Sequence, residues 1–115
     1  SYMYTAPSVV RDLDPVFSPG MYNATSGRYE GTLSINWSEP QTPNGIITNY
    51  KYAVQGPLPS DQVVTMDDTD STSIMIEIFL LPAEEYDVIV LASTSAGPGP
   101  SRTLTITVPE AGRFT

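Results

Sequence analysis

The chain predicts an all-β fold, a seven-stranded antiparallel Greek-key sandwich. Three observations lead there. Apolar residues alternate with polar ones along most of the chain, and no stretch sustains the 3.6-residue period of a helix. Eleven prolines and eight glycines in 115 residues punctuate those alternating runs, as turns between short strands require. Finally, Leu80-x-Pro82-x-x-x-Tyr86 stands just before the strongest alternating run. This is the spacing of a tyrosine corner, where a chain crosses between the two sheets of a sandwich and the tyrosine hydroxyl bonds back to upstream backbone.

Each element follows from its own residues. A first strand is expected around Ser8–Leu13. The stretch VFSPGMYNATSGRYEG then forms an enlarged loop before the second strand. It either prolongs both strands as a hairpin or bulges outward. In GTLSINWSEP, Leu33, Ile35 and Trp37 share one face, because successive strand side chains point to opposite sides. In ITNYKYAVQ the inward set is Tyr50, Tyr52 and Val54, opposite Asn49, Lys51 and Ala53. A weaker strand is expected around Gln62–Met66. STSIMIEIFL offers Ile74, Ile76, Ile78 and Leu80, and EYDVIVLAS offers Tyr86, Val88, Val90 and Ala92. RTLTITV closes the set with Leu104, Ile106 and Val108. Asn44-Gly45 supplies residues tolerant of positive φ, and Pro57 and Pro59 end a strand because proline cannot donate to a ladder. MDDTDS is expected to be a solvated turn. The alternative, a calcium loop, would need a turn glycine and a distal bidentate glutamate that the stretch lacks.

These landmarks come in a recognisable order: Trp37-x-x-Pro40, Pro43-Asn44-Gly45-x-Ile47-x-x-Tyr50, the corner, then Ser95-Ala96-Gly97-x-Gly99-Pro100-Ser101. In that order they resemble the fibronectin type III domain, a member of the immunoglobulin-like sandwiches. The resemblance covers the chain from about Pro7 to Val108, with residues 1–6 and 109–115 left as linkers. It implies a three-stranded sheet packed on a four-stranded one. The departure from the family pattern is the enlarged loop between the first two strands. The family's integrin-binding Arg-Gly-Asp is absent from STSAGPGPS, so that adhesive role is not implied here.

Composition narrows the chemistry. The net charge is −8, and the five basic residues, Arg11, Arg28, Lys51, Arg102 and Arg113, are scattered. No stripe of cations exists to neutralise phosphates, so nucleic acid is not an expected partner. With no cysteine and no histidine, thiol nucleophiles, zinc–thiolate sites and histidine bases are all ruled out. Glu84 and Glu85 are adjacent on an extended chain and diverge, whereas an acid–base pair must converge on one substrate atom. The prolines of GPGPS remove the N–H donors a phosphate cradle needs. The expectation is a non-catalytic domain without metal or cofactor. No apolar run is long enough to span a membrane. The first ten residues lack the basic start and apolar core of a secretory leader, so a secreted protein carrying this chain would derive from a longer precursor.

Two kinds of surface feature remain. Asn23-Ala24-Thr25 and Asn36-Trp37-Ser38 match the N-glycosylation pattern, although both asparagines also make sense as ordinary polar surface. Tyr22, Tyr29, Phe79, Ile89 and Leu91 are candidates for a protein contact, the first two in the enlarged loop and the others facing outward from strands. The resemblance implies a non-catalytic extracellular module of a cell-surface receptor or adhesion protein. It would act as a spacer between neighbouring domains and as a contact surface for a protein ligand, in a membrane-anchored parent but without touching the membrane itself. An intracellular elastic-rod module and an accessory spacer of a secreted carbohydrate-degrading enzyme are the alternatives.

Overall fold

The alternating runs become strands in the computed structural model, which describes residues 6–59 and 64–111. In chain order these are β1 (Arg11–Asn23), β2 (Arg28–Ser38), β3 (Asn49–Gln55), β4 (Val64–Thr69), β5 (Ser73–Leu80), β6 (Glu85–Thr94), β7 (Gly97–Pro98) and β8 (Arg102–Thr107). One sheet has the order β1-β2-β5. The other runs β4-β3-β6, with β7 and β8 both paired to β6. β7 holds Ser93 and Thr94, while β8 holds the stretch from Glu85 to Val90. They are successive pieces of one row, interrupted between Pro98 and Arg102 because Pro98 and Pro100 have no N–H to donate. Gly99 bridges the gap with an N–H bond to Ala92 O at 2.8 Å. The result is the expected three-on-four sandwich.

The enlarged loop is a hairpin. β1 pairs with β2 from Arg11↔Ser38 to Asn23↔Arg28, and β2 pairs with β5 from Tyr29↔Leu80 to Asn36↔Ser73. β1 slips register twice, between Arg11 and Asp14 and between Ser18 and Met21. Each bulge holds one residue at positive φ, Asp12 at 54° and Gly20 at 55°, as bulges commonly do. The first strand therefore begins later than Ser8 and runs well past Leu13. Asn23 closes the tip: its Oδ1 accepts the N–H groups of Thr25 (2.9 Å) and Ser26 (3.2 Å), and its O accepts that of Gly27 at 2.8 Å. Gly27 takes the left-handed conformation at φ 72°.

The core lies between the sheets. Leu33, Ile35, Trp37, Ile78 and Leu80 meet Tyr50, Val54, Tyr86, Val88, Val90 and Ala92, all buried. Trp37 and Tyr50 stack edge to face with ring centroids 5.5 Å apart, an arrangement favoured by the ring quadrupoles. Ile74, Ile76, Tyr52 and Ile106 are half-buried and pack against this cluster. Leu104, expected to face inward, is 43% exposed; it sits on an edge strand with a neighbour on one side only. Ala53 and Ile89, expected to face outward, are buried. They oppose each other on central strands, flanked by Thr103 of β8. Asp67 and Asp68 also depart from expectation. They belong to β4 and pair with Tyr52 and Lys51, and Lys51 Nζ meets Asp68 Oδ1 at 2.6 Å. Of the expected Gln62–Met66 strand, Gln62 and Val63 lie outside the described residues.

The corner joins three loops. Tyr86 Oη donates to Pro57 O at 2.9 Å and accepts the Leu81 N–H at 2.9 Å. Arg28 Nη1 donates to the same Pro57 O (2.9 Å) and to Phe79 O (3.0 Å). Gly56 lies against the Tyr86 ring at φ 151°, where an added Cβ would collide with it. The two ends of the described chain are tied at opposite poles. Asn44 Nδ2 donates to Ala6 O at 2.9 Å and Ser8 N–H donates to Thr42 O at 3.0 Å. At the other pole, Ala83 N–H bonds Val108 O (3.0 Å) and Pro109 O (3.2 Å), and Tyr29 Oη donates to Glu110 O at 3.2 Å. Residues 109 and 110, assigned to a linker by sequence, are thus held to the sandwich; 1–5 and 112–115 lie outside the described residues.

Candidate functional site

The residues singled out by sequence fall into three places. The first is the outer face of the three-stranded sheet. Directly opposed residues of antiparallel strands project to the same side, and Leu33, Ile35 and Trp37 point inward. Asn36, Ser34, Thr32 and Glu30 therefore point outward. Crossing the sheet, the outer rows are Asp14–Asn36–Ser73, Val16–Ser34–Met75, Ser18–Thr32–Glu77 and Met21–Glu30–Phe79. Asn36 is exposed. Its Oδ1 accepts from Ser73 Oγ at 2.6 Å, and its Nδ2 makes a long contact of 3.4 Å to Ser34 Oγ. Asn23 is half-buried at the hairpin tip, with Nδ2 donating to Glu30 Oε2 at 2.8 Å. A shallow depression of about 390 Å³ lies on this face, lined by Ser18, Gly20, Glu30, Gly31, Thr32, Glu77 and Phe79.

The second place is the hairpin end of the core. Tyr29, grouped with the contact residues by sequence, is 3% exposed and belongs to the core. It is opposite Leu80 on one side and Tyr22 on the other. Its ring packs edge to face on Tyr22 at 5.4 Å. Tyr22 keeps part of its surface in solvent. The third place is the outer face of the other sheet. There Ile89, also grouped with contact residues, is 9% exposed and covered by its neighbours, while Leu91 is half-buried beside Lys51. The structure thus brings Asn23, Asn36 and Phe79 to one face, and keeps Leu91 on the other.

The electrostatics are quiet. Burial raises the Tyr50 phenol above its usual 10.0, with the Glu39 carboxylate adding to the effect. Burial likewise raises Tyr52, assisted by Asp67. Among the described residues no group of three or more potential metal ligands comes together, and none of these positions converges acid and base on a common point. Two surface features escaped the sequence reading. Ile46 stands 86% exposed at the 40–48 loop, near a second hollow lined by Asn44, Thr48, Thr94 and Ser95. Arg28 serves as a clasp rather than a free cation. The alternation pattern carries no signal for either.

Comparison with known proteins agrees with this geometry. The chicken (Gallus gallus) receptor-type tyrosine-protein phosphatase S is 40% identical over 73 residues, covering 60% of this chain and 5% of the relative's length. The chain therefore spans a small part of that receptor. Among solved structures, domains d3–d4 of the rat CD45 extracellular region superpose with a TM-score of 0.65 at 13% identity, over 91% of this chain and 51% of that one. Titin domains A168–A170 give 0.60 at 16% identity, over 91% and 33%. Such distant likeness speaks for the fold alone. A family model for the fibronectin type III domain matches residues 18–108, and with the sandwich topology, the buried tryptophan and the closed corner this makes the chain a member of the fibronectin type III family.

Proposed function

We propose that the chain is a non-catalytic extracellular module of a multi-domain cell-surface receptor, working as a spacer that sets the distance and orientation of its neighbours and offers a surface to protein partners. The observation that carries this reading is the 40% identity to a receptor-type phosphatase. Ala6 and Glu110, near the two ends of the described chain, are held at opposite poles, which suits a domain placed in line between others. Asn23 and Asn36 are the expected glycan acceptors. Both keep their side-chain amides at the surface of the sheet.

The competing reading is an intracellular module of an elastic rod, which the lack of cysteine permits. An antibody raised against the folded domain separates the two on cells that express the parent protein. Staining of intact, unpermeabilised cells is the expected result. Staining that appears only after permeabilisation would overturn the extracellular reading.

A further inference from the structure

Both glycosylation sequons open onto the same face, and the most exposed apolar side chains of that sheet lie between them. Met75 is 75% exposed, Met21 70% and Val16 48%. They occupy the rows between Asn36 at one end and the Asn23–Arg28 pair at the other. From the Arg28 row to Asn36 the distance along β2 is about 26 Å, at roughly 3.3 Å per residue. Single exposed apolar side chains are ordinary, but three on one sheet face, interleaved with Ser34, Thr32 and Glu30, make a surface that a cover would shield. Here the remaining groups on the face say what kind of cover fits. Asp14, Glu30 and Glu77 stand among the methyl groups, and the cations at the two ends of the face are turned onto backbone carbonyls, Arg11 onto Glu39 O and Arg28 onto Pro57 O and Phe79 O. A protein partner presenting an apolar surface would have to strip water from these carboxylates at considerable cost. A neutral sugar chain covers methyl and thioether groups with its C–H faces and leaves the carboxylates hydrated or hydrogen-bonded to its hydroxyls.

We infer that the outer face of β1-β2-β5 is the glycan-bearing face of the domain, with sugars on Asn36 and Asn23 lying over Met75, Val16 and Met21, and that protein contacts are thereby directed to the opposite sheet. The inference rests on the extracellular reading. The modification needs a lipid-diphosphate-linked oligosaccharide as donor. Asn Nδ2 attacks the anomeric carbon, a C–N bond forms, the C–O bond to the diphosphate breaks, and the Nδ2 proton is lost as the lipid diphosphate leaves. Each amide keeps one N–H afterwards. Asn23 can still donate to Glu30, and its Oδ1 still closes the turn.

The test is the rate of methionine oxidation by dilute peroxide, followed by peptide mass spectrometry. It compares the chain secreted from a glycosylating eukaryotic cell with Ser38→Ala and Thr25→Ala, which remove each sequon but keep its asparagine. The expected result is glycan on both asparagines, with Met75 oxidised about threefold faster in Ser38→Ala and Met21 about threefold faster in Thr25→Ala, since oxidation follows exposure. Glycosylated protein whose methionines oxidise at the same rate as in the variants would overturn the covering of the patch while leaving the extracellular reading intact. A secreted chain without sugar at either asparagine would overturn the inference together with the compartment argument behind it.

Discussion

Tyr86 shows how much a single hydroxyl can organise. It satisfies the Leu81 N–H and shares Pro57 O with Arg28. Tyr86→Phe leaves the Leu81 N–H without its acceptor, and a lost hydrogen bond of this kind costs about 1–3 kcal/mol; a lower urea midpoint with an unchanged slope is the expected outcome. Gly56→Ala should be worse, because it combines a disfavoured φ of 151° with a methyl group driven into the tyrosine ring. Thermal unfolding of the two variants side by side checks that order. Tyr50 and Tyr52 give a pH dependence. Their phenols are raised above 10.0 in the folded protein. As pH climbs past that value the unfolded chain releases its phenolic protons first, so the folded state binds more protons and loses stability. Their contribution is complete below pH 10 and disappears as pH passes through the folded values. Tyr50→Phe should flatten the fall in melting temperature above pH 10.

Among the elements, the β1–β2 hairpin is the most individual. Its closeness depends on Gly31: a Cβ there would collide with Ser18 O and the Phe17 ring, so Phe17 covers the glycine from the neighbouring strand. Arg28 fastens the base of the tip to the loop before β4 and to β5. Arg28→Met keeps the apolar stem and removes both carbonyl bonds. The expected outcome is faster amide hydrogen exchange at residues 21–30, with little change in β3 and β6. The hairpin also marks where sequence reading stops. Alternation located β2, β3, β5 and β6, because a half-buried strand writes its faces into every second residue. It could not choose between hairpin and loop for residues 16–31, because two bulges reset the alternation of β1. The same resets decide which side Asn23 faces, so the sequons were legible and their common face was not. Tyr29 looked like a loop residue for the same reason, and Ile89 looked exposed because a strand's outer face is covered only when neighbours on both sides close over it. Asp67 and Asp68 resembled a turn because charge favours turns, but a cross-strand lysine gives Asp68 a partner within a strand.

The whole molecule is elongated, with principal extents of 62 × 27 × 18 Å and a Cα radius of gyration of 16.2 Å. A compact domain of this length would have about 13 Å. Small-angle scattering of unglycosylated protein should therefore give a radius near the larger value; a result near the smaller one would mean the hairpin folds back on the sandwich.

The bonds that fasten Ala6 and Glu110 at opposite poles have a mechanical consequence. β1 starts near the Ala6 pole and runs toward the pole where Glu110 is held, and β8 runs the same way. Tension applied through the chain would load the β1–β2 and β6–β8 ladders along their length, in shear. Many hydrogen bonds would then have to break together instead of opening one after another like a zipper. A domain strung this way resists stretching at its ends far better than it resists peeling at the free edge of β5.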